Sequence, residues 1–229
     1  MLKTEAVLAD LVGIPSVSSF SPEFDRPNRP VIDRLADYLD GIGCTVEVMP
    51  LPEMPGKANL IAGLGSGEGG VVLAGHSDTV PYDEFGWASD PFDLTLRDAR
   101  LHGLGATDMK SFLALSVVLI SRLDARRLKH PLYLVVTADE ESSMHGAQLL
   151  AETGRPRADY CIIGEPTDLK PVRMHKGILM EALGIHGGSG HSSDPDAAPN
   201  AIDGLSRVLD ALQVWRGELR QRFREIGRA

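Results

Sequence analysis

The hydrophobic pattern divides the chain into helices and strands that alternate. Residues 3–13 set Ala6, Val7, Leu8, Leu11 and Val12 at helical spacing, and Gly13-Ile14-Pro15 ends the run. Residues 20–30 are rich in proline, serine and charge and read as a loop. In RPVIDRLADYLDGIG (29–43), Val31, Leu35 and Leu39 share one stripe, and the glycines close a second helix. CTVEVMPL (44–51) alternates as a strand does. ANLIAGLG (58–65) and GVVLAGH (70–76) predict two more strands, with SGEGG between them as a hairpin-like turn.

Further along, DLTLRDARLHGLGATD (93–108) predicts a short ribbon around a turn. MKSFLALSVVLISRLDA (109–125) is apolar on nearly every side at its centre, as a buried helix is. HPLYLVVTADEE (130–141) and ADYCIIGEPTD (158–168) read as buried strands, with a helix at SMHGAQLLAETG (143–154). This alternation predicts an α/β layered domain. The texture changes near Lys176, where a domain boundary is expected. KGILMEALGIHGGSGHSSD (176–194) reads as one alternating strand and a turn, and residues 199–229 as one long helix with a basic end. A single strand and a single helix cannot close a core by themselves.

Composition adds bounds. The 229 residues suit one large domain or two modest ones. With 43% hydrophobic and 24% charged residues the chain can bury a core. A net charge of −9 argues against the basic face that nucleic acid requires, and suits an enzyme or a protein that binds cations. Cys44 and Cys161 lack metal or redox spacing and read as small buried thiols in a reducing compartment. The amphipathic N-terminus has no basic head followed by an apolar core, and no apolar run approaches 18 residues. A cytoplasmic protein that neither enters a membrane nor binds nucleic acid is expected.

Acids and one imidazole gather just past the predicted strands: His76 and Asp78, then Asp108, then Glu140 and Glu141, then Glu165. Each has a plain alternative. A His-x-Asp pair is most often a solvated loop, Asp108 could cap its helix, a Glu-Glu pair is usually surface charge, and Glu165 could serve the turn before Pro166. Together, on the edge where α/β sheets build their sites, they would concentrate negative charge that two divalent cations would neutralise. Histidine and carboxylate donors suit zinc or its neighbours. His76 would ligate through one nitrogen while Asp78 holds the proton on the other. Asp108 could bridge two ions. One of the adjacent glutamates could ligate while the other serves as base.

The segments GHSDTVP (75–81), GLGATDMK (103–110), TADEES (137–142) and GEPT (164–167), in this order, resemble the dinuclear zinc aminoacylase and carboxypeptidase superfamily. The likeness runs from the first helix to the end of the chain. It implies an αβα-layered zinc-peptidase-like catalytic domain over residues 1–175, with a mixed sheet between helices. It also implies that residues 176–229 begin an inserted α+β ferredoxin-like lid or dimerisation domain. Two divalent ions are implied, Zn2+ with Co2+ as an alternative. By position, His76 and Glu165 hold the first ion, Asp108 bridges both, Glu141 holds the second, Asp78 orients His76, and Glu140 is the general acid and base. SGHSS (189–193) resembles a lid segment whose histidine reaches the partner subunit's site, so His191 is the implied oxyanion stabiliser, where its setting among glycines and serines suggests a plain turn.

A narrower likeness, in LKPVRMHKG (169–177) and SGHSSDP (189–195), implies hydrolysis of N2-acetyl-L-ornithine to L-ornithine and acetate in arginine biosynthesis. N-Acetylcitrulline, N-succinyl-diaminopimelate and other N-acyl amino acids are the alternative substrates. A homodimer is implied for the full-length protein. The family's second ion needs a later histidine that His102, His130, His145, His175 and His186 do not match. A truncated chain with impaired activity, a weak second site and uncovered apolar strand faces is therefore expected. An inactive fragment that only binds metal or dimerises is the alternative from another class, with Leu205, Leu209, Leu212 and Trp215 on one side of the last helix.

Overall fold

The computed structural model describes residues 2–174, 177, 181–194 and 196–222. The chain divides into two compact units, and the division falls between Asp168 and Leu169.

The first unit is built on a mixed five-stranded sheet in the order β1-β2-β6-β3-β7. Its strands are β1 (Thr45–Pro50), β2 (Ala58–Leu64), β3 (Val71–His76), β6 (Leu132–Thr137) and β7 (Tyr160–Ile163). β1 with β2 and β2 with β6 run antiparallel, while β3 is parallel to β6 and to β7. Two short strands, β4 (Thr95–Arg97) and β5 (Arg100–His102), form the expected ribbon. Asp98 and Ala99 both take positive φ at its tip, as a two-residue turn that matches strand twist requires.

Three helices cover one face: α1 (Thr4–Val12), α2 (Arg29–Gly41) and α3 (Ser111–Ile120). Leu11, Val31, Leu35, Leu39, Leu113 and Val117 are fully buried there against Leu60, Leu134 and Val136 of β2 and β6. Burying each such side chain contributes about 1.5–3 kcal/mol. The other face is thinner, with Ile61, Val72 and Val135 under Leu150 of α4 (His145–Thr153). The alternation of β2 and β6 residues between these faces places helices on both sides of the sheet.

Three expectations fail in this unit. SGEGG does not close a hairpin, because β6 lies between β2 and β3 and pairs with both. The near-continuous apolar β6 takes the central position, where both its faces are covered, and β2 and β3 flank it. β7 is not buried: all four of its residues are exposed at the edge of the sheet, Tyr160, Ile162 and Ile163 among them. Cys161 is exposed with it, whereas Cys44 is buried, and both thiols are free.

In the second unit the long helix is α5 (Ala201–Arg222), whose Leu205, Leu209, Leu212 and Trp215 are all exposed. The strand expected over 176–194 lies partly outside the described residues, and residues 181–194 form no strand. The expected basic end of the last helix beyond Arg222 is likewise outside them. Among the described residues no helix is long and apolar enough to cross a membrane.

Candidate metal centre

β3, β6 and β7 are parallel, so their carboxyl ends open on one edge of the sheet. His76 is the last residue of β3, opposite Thr137 of β6. Ser77, Asp78 and Thr79 continue it as a fully buried segment. Glu140 and Glu141 follow β6, and Glu165 follows β7. Asp108 arrives separately, from a wide turn over Ala106–Lys110 closed by the Lys110 N–H on the Gly105 carbonyl at 2.9 Å. Its extended φ of −121° and the start of α3 at Ser111, with Lys110 in the N-cap position, show that Asp108 does not cap that helix. Gly75 permits this turn to close on β3: a Cβ there would stand 2.8 Å from Met109 Cε and 3.0 Å from Leu113 Cδ2.

The side chains converge on the His76 ring, which is buried. Nε2 lies 3.1 Å from Asp108 Oδ1, 3.8 Å from Glu165 Oε1 and 3.9 Å from Glu140 Oε2. On the other side of the ring, Nδ1 is 2.9 Å from the Asp78 carbonyl oxygen and 3.6 Å from Asp78 Oδ1. The ring is thus oriented first by a main-chain carbonyl, where a carboxylate had been expected. Asp78 Oδ2 accepts the Glu141 N–H at 3.0 Å, and Asp78 Oδ1 is buried without a hydrogen bond.

The charges perturb one another. Burial pulls the His76 imidazole down, but Asp78, Glu140, Glu165 and Asp108 outweigh it and leave its pKa raised. Burial, reinforced by Asp108, pushes the Glu141 carboxyl up to about 7, with the His76 charge opposing. Burial also raises Glu165 and Asp78, in each case against the pull of His76. This is the excess of negative charge that a cation compensates.

The donor atoms fit a divalent ion. Two groups, His76/Glu140/Glu165 and His76/Asp108/Glu141, each place one ligand atom per residue within 4.8 Å of the others. Imidazole nitrogen with carboxylate oxygen is a donor set that zinc accepts. Both groups draw on the same imidazole, and Glu140 stands as near it as Glu165 does, so distance alone does not separate ligand from base. Beside Asp108 and Glu141 opens a cleft of about 300 Å³ lined by Thr79, Val80, Trp87 and Leu104. A larger cavity of about 650 Å³ lies at the opposite end of the strands, around Gly69 and Asp159, away from the acids.

His191 belongs to the second unit. It is exposed in a local turn, where its Nδ1 accepts the Ser193 N–H and lies 2.8 Å from Ser193 Oγ.

The sequence pattern did not single out the residues that hold this edge together. Lys57 is buried and its ammonium donates to Asp139 and Asp25, each at 2.8 Å. Lys110 is also buried and donates to the Leu11 and Ile14 carbonyls at 2.8 and 2.9 Å, tying the Asp108 turn to the end of α1. Residues 16–18 pair with 77–79, through Ser18 N–H on the Thr79 carbonyl and Thr79 N–H on the Ser16 carbonyl. A lysine before a strand reads as solvated surface, so no local signal marks Lys57.

The model of a family described as Peptidase family M20/M25/M40 matches residues 72–214. An acetylornithine deacetylase of Proteus mirabilis is 46% identical over 93% of this chain and 55% of its own length. That of Pasteurella multocida is 48% identical over 93% of this chain and 56% of its own. The chain spans about half the length of the curated relatives it matches. Among solved structures, human carnosine dipeptidase 1 is 27% identical, with a TM-score of 0.61 over 70% of this chain and 38% of its own. A tripeptidase from Staphylococcus aureus shares the fold at a TM-score of 0.61 and 17% identity, over 90% of this chain and 55% of its own.

Proposed function

Since the chain belongs to peptidase family M20/M25/M40, we propose that it carries the metal centre of an amide hydrolase that cleaves N2-acetyl-L-ornithine to L-ornithine and acetate. The reading rests on one observation: a buried histidine at the end of β3 meets four carboxylates delivered by three other segments. The substrate is that of the acetylornithine deacetylases that this chain resembles at 46–48% identity.

His76, Asp108 and Glu165 would hold one divalent ion and Glu141 a second, more weakly, Zn2+ by donor type with Co2+ as a substitute. When bound, such ions polarise a carbonyl and acidify water. Asp78 fixes the His76 ring and the Glu141 peptide. Glu140 takes the proton of the attacking water as the new C–O bond forms at the acetyl carbon. It returns that proton to the α-amine as the C–N bond breaks, so acetate and ornithine leave without a change in oxidation state. Motif resemblance assigns the oxyanion to His191 reaching in from a partner subunit. A homodimer, for which the exposed apolar side of α5 is the candidate surface, and a cytoplasmic location belong to the same proposal.

The test is release of acetate or succinate by the Zn2+-loaded protein from N2-acetyl-L-ornithine, N-acetylcitrulline and N-succinyl-diaminopimelate. N2-Acetyl-L-ornithine should have the highest kcat/KM. A preference for another acyl amino acid would keep the chemistry and replace the substrate, and no hydrolysis of any would reject the assignment.

A further inference from the structure

Asp139 stands directly before the two glutamates yet joins neither ligand group. Its φ is +56°, a left-handed conformation that a side chain disfavours, and it turns the chain sharply after β6. Its carbonyl closes the turn by accepting the Met144 N–H at 2.7 Å and the Ser142 N–H at 3.4 Å. Its carboxylate has other partners: Oδ1 accepts from Lys57 Nζ at 2.8 Å and from the Ser18 hydroxyl at 3.2 Å. Ser18 also contacts the Ser142 hydroxyl, so both ends of the turn lead back to one point.

Lys57 is the centre of this arrangement. Its side chain is 4% exposed and that of Asp139 is 3% exposed, so the pair is desolvated. The second acceptor, Asp25, is fixed in turn by the Ser19 N–H at 3.1 Å. Lys57 keeps its charge: burial pulls the ammonium down, but the bonds to Asp139 and Asp25 more than offset it. A buried ion pair adds little net stability compared with an apolar pair, and its better-attested use is to fix one geometry.

We propose that Lys57 is a positioning residue: by clamping the Asp139 carboxylate outside both ligand groups, it sets the turn that presents Glu140 and Glu141 to the metal centre. It also keeps a sixth carboxylate out of a cluster that already holds Asp78, Asp108, Glu140, Glu141 and Glu165. The inference rests on the metal-centre reading above.

The experiment compares the unsubstituted protein with Lys57→Met and with Lys57→Met/Asp139→Asn. The double variant removes the stranded carboxylate that could unfold the single one. Amide hydrogen exchange is followed without metal, and Co2+ alone is titrated by its visible absorption. The clamp predicts exchange at least about tenfold faster at Glu141, Ser142 and Met144 in the double variant, with Leu134 and Val135 of β6 unchanged. It also predicts Co2+ affinity lowered about tenfold or more, within the range seen when groups supporting a metal ligand are lost. Unchanged exchange at the three amides, acceleration spread evenly over the whole unit, or unsubstituted Co2+ affinity in the double variant would overturn it. If the unsubstituted protein binds no Co2+, the metal-centre reading falls instead, and the three amides alone decide whether the clamp exists.

Discussion

The Asp78 carboxylate accepts the Glu141 N–H at 3.0 Å while the Asp78 carbonyl sits 2.9 Å from His76 Nδ1. One residue thus orients the imidazole and pins the peptide of the glutamate pair, linking the ends of β3 and β6. Asp78→Asn keeps an acceptor for the amide but removes the charge, whereas Asp78→Ala removes both. Zn2+ affinity should fall about 10–100-fold for Ala and less for Asn. Isothermal titration of each variant checks the order, and equal losses would show that the hydrogen bond to Glu141 is immaterial.

His76 belongs to both ligand groups. Zn2+ should therefore raise the melting temperature of the unsubstituted protein and leave His76→Ala unmoved. At a free concentration about 100 times Kd, linkage stabilises the folded state by about 2.7 kcal/mol. Differential scanning fluorimetry with and without Zn2+ reads the difference directly.

Without metal, stability should depend on pH through Glu141. Its folded pKa of about 7 exceeds its ordinary value of 4.5. The folded state therefore binds the extra proton between those values, and stability present below about pH 4.5 is lost as pH rises through about 7. Glu141→Gln should match the unsubstituted protein at pH 4.5 and exceed it at pH 8. Urea unfolding in the presence of a chelator at the two pH values checks the sign, and a variant less stable at pH 8 would contradict it.

Glu140→Gln should retain the metal and lose about 10²–10⁴-fold in kcat, the usual contribution of a positioned acid-base group. Near-normal turnover on N2-acetyl-L-ornithine would move the role to another carboxylate. Glu165→Gln, whose side chain stands equally close to His76, should instead weaken metal binding. Turnover paired with metal content separates the two.

Lys110→Met would leave the Ile14 carbonyl without its donor and the Leu11 carbonyl with only main-chain N–H donors, that of Ile14 at 3.3 Å. An unmet buried polar group costs about 1–3 kcal/mol. The variant should unfold at lower denaturant concentration with an unchanged m-value. A midpoint identical to that of the unsubstituted protein would show that water replaces the ammonium at both carbonyls.

The sequence by itself determined the helices, the strands of the first unit and the candidate donors. The stripe of Val31, Leu35 and Leu39, the apolar runs of β3 and β6, and the acids just past them follow from periodicity, which each chain segment carries locally. It also supplied the candidates His76, Asp108, Glu140, Glu141 and Glu165, since donor types at strand ends are visible without coordinates. Only the tertiary structure decided that β6 separates β2 from β3, because strand order depends on which faces are covered, and no glycine-rich turn encodes that. It alone showed β7 lying exposed at the sheet edge, for its apolar residues look the same buried or not. It alone paired Lys57 with Asp139, 82 residues apart: an ion pair across that separation leaves no local pattern, and it exists only when folding removes water from both charges.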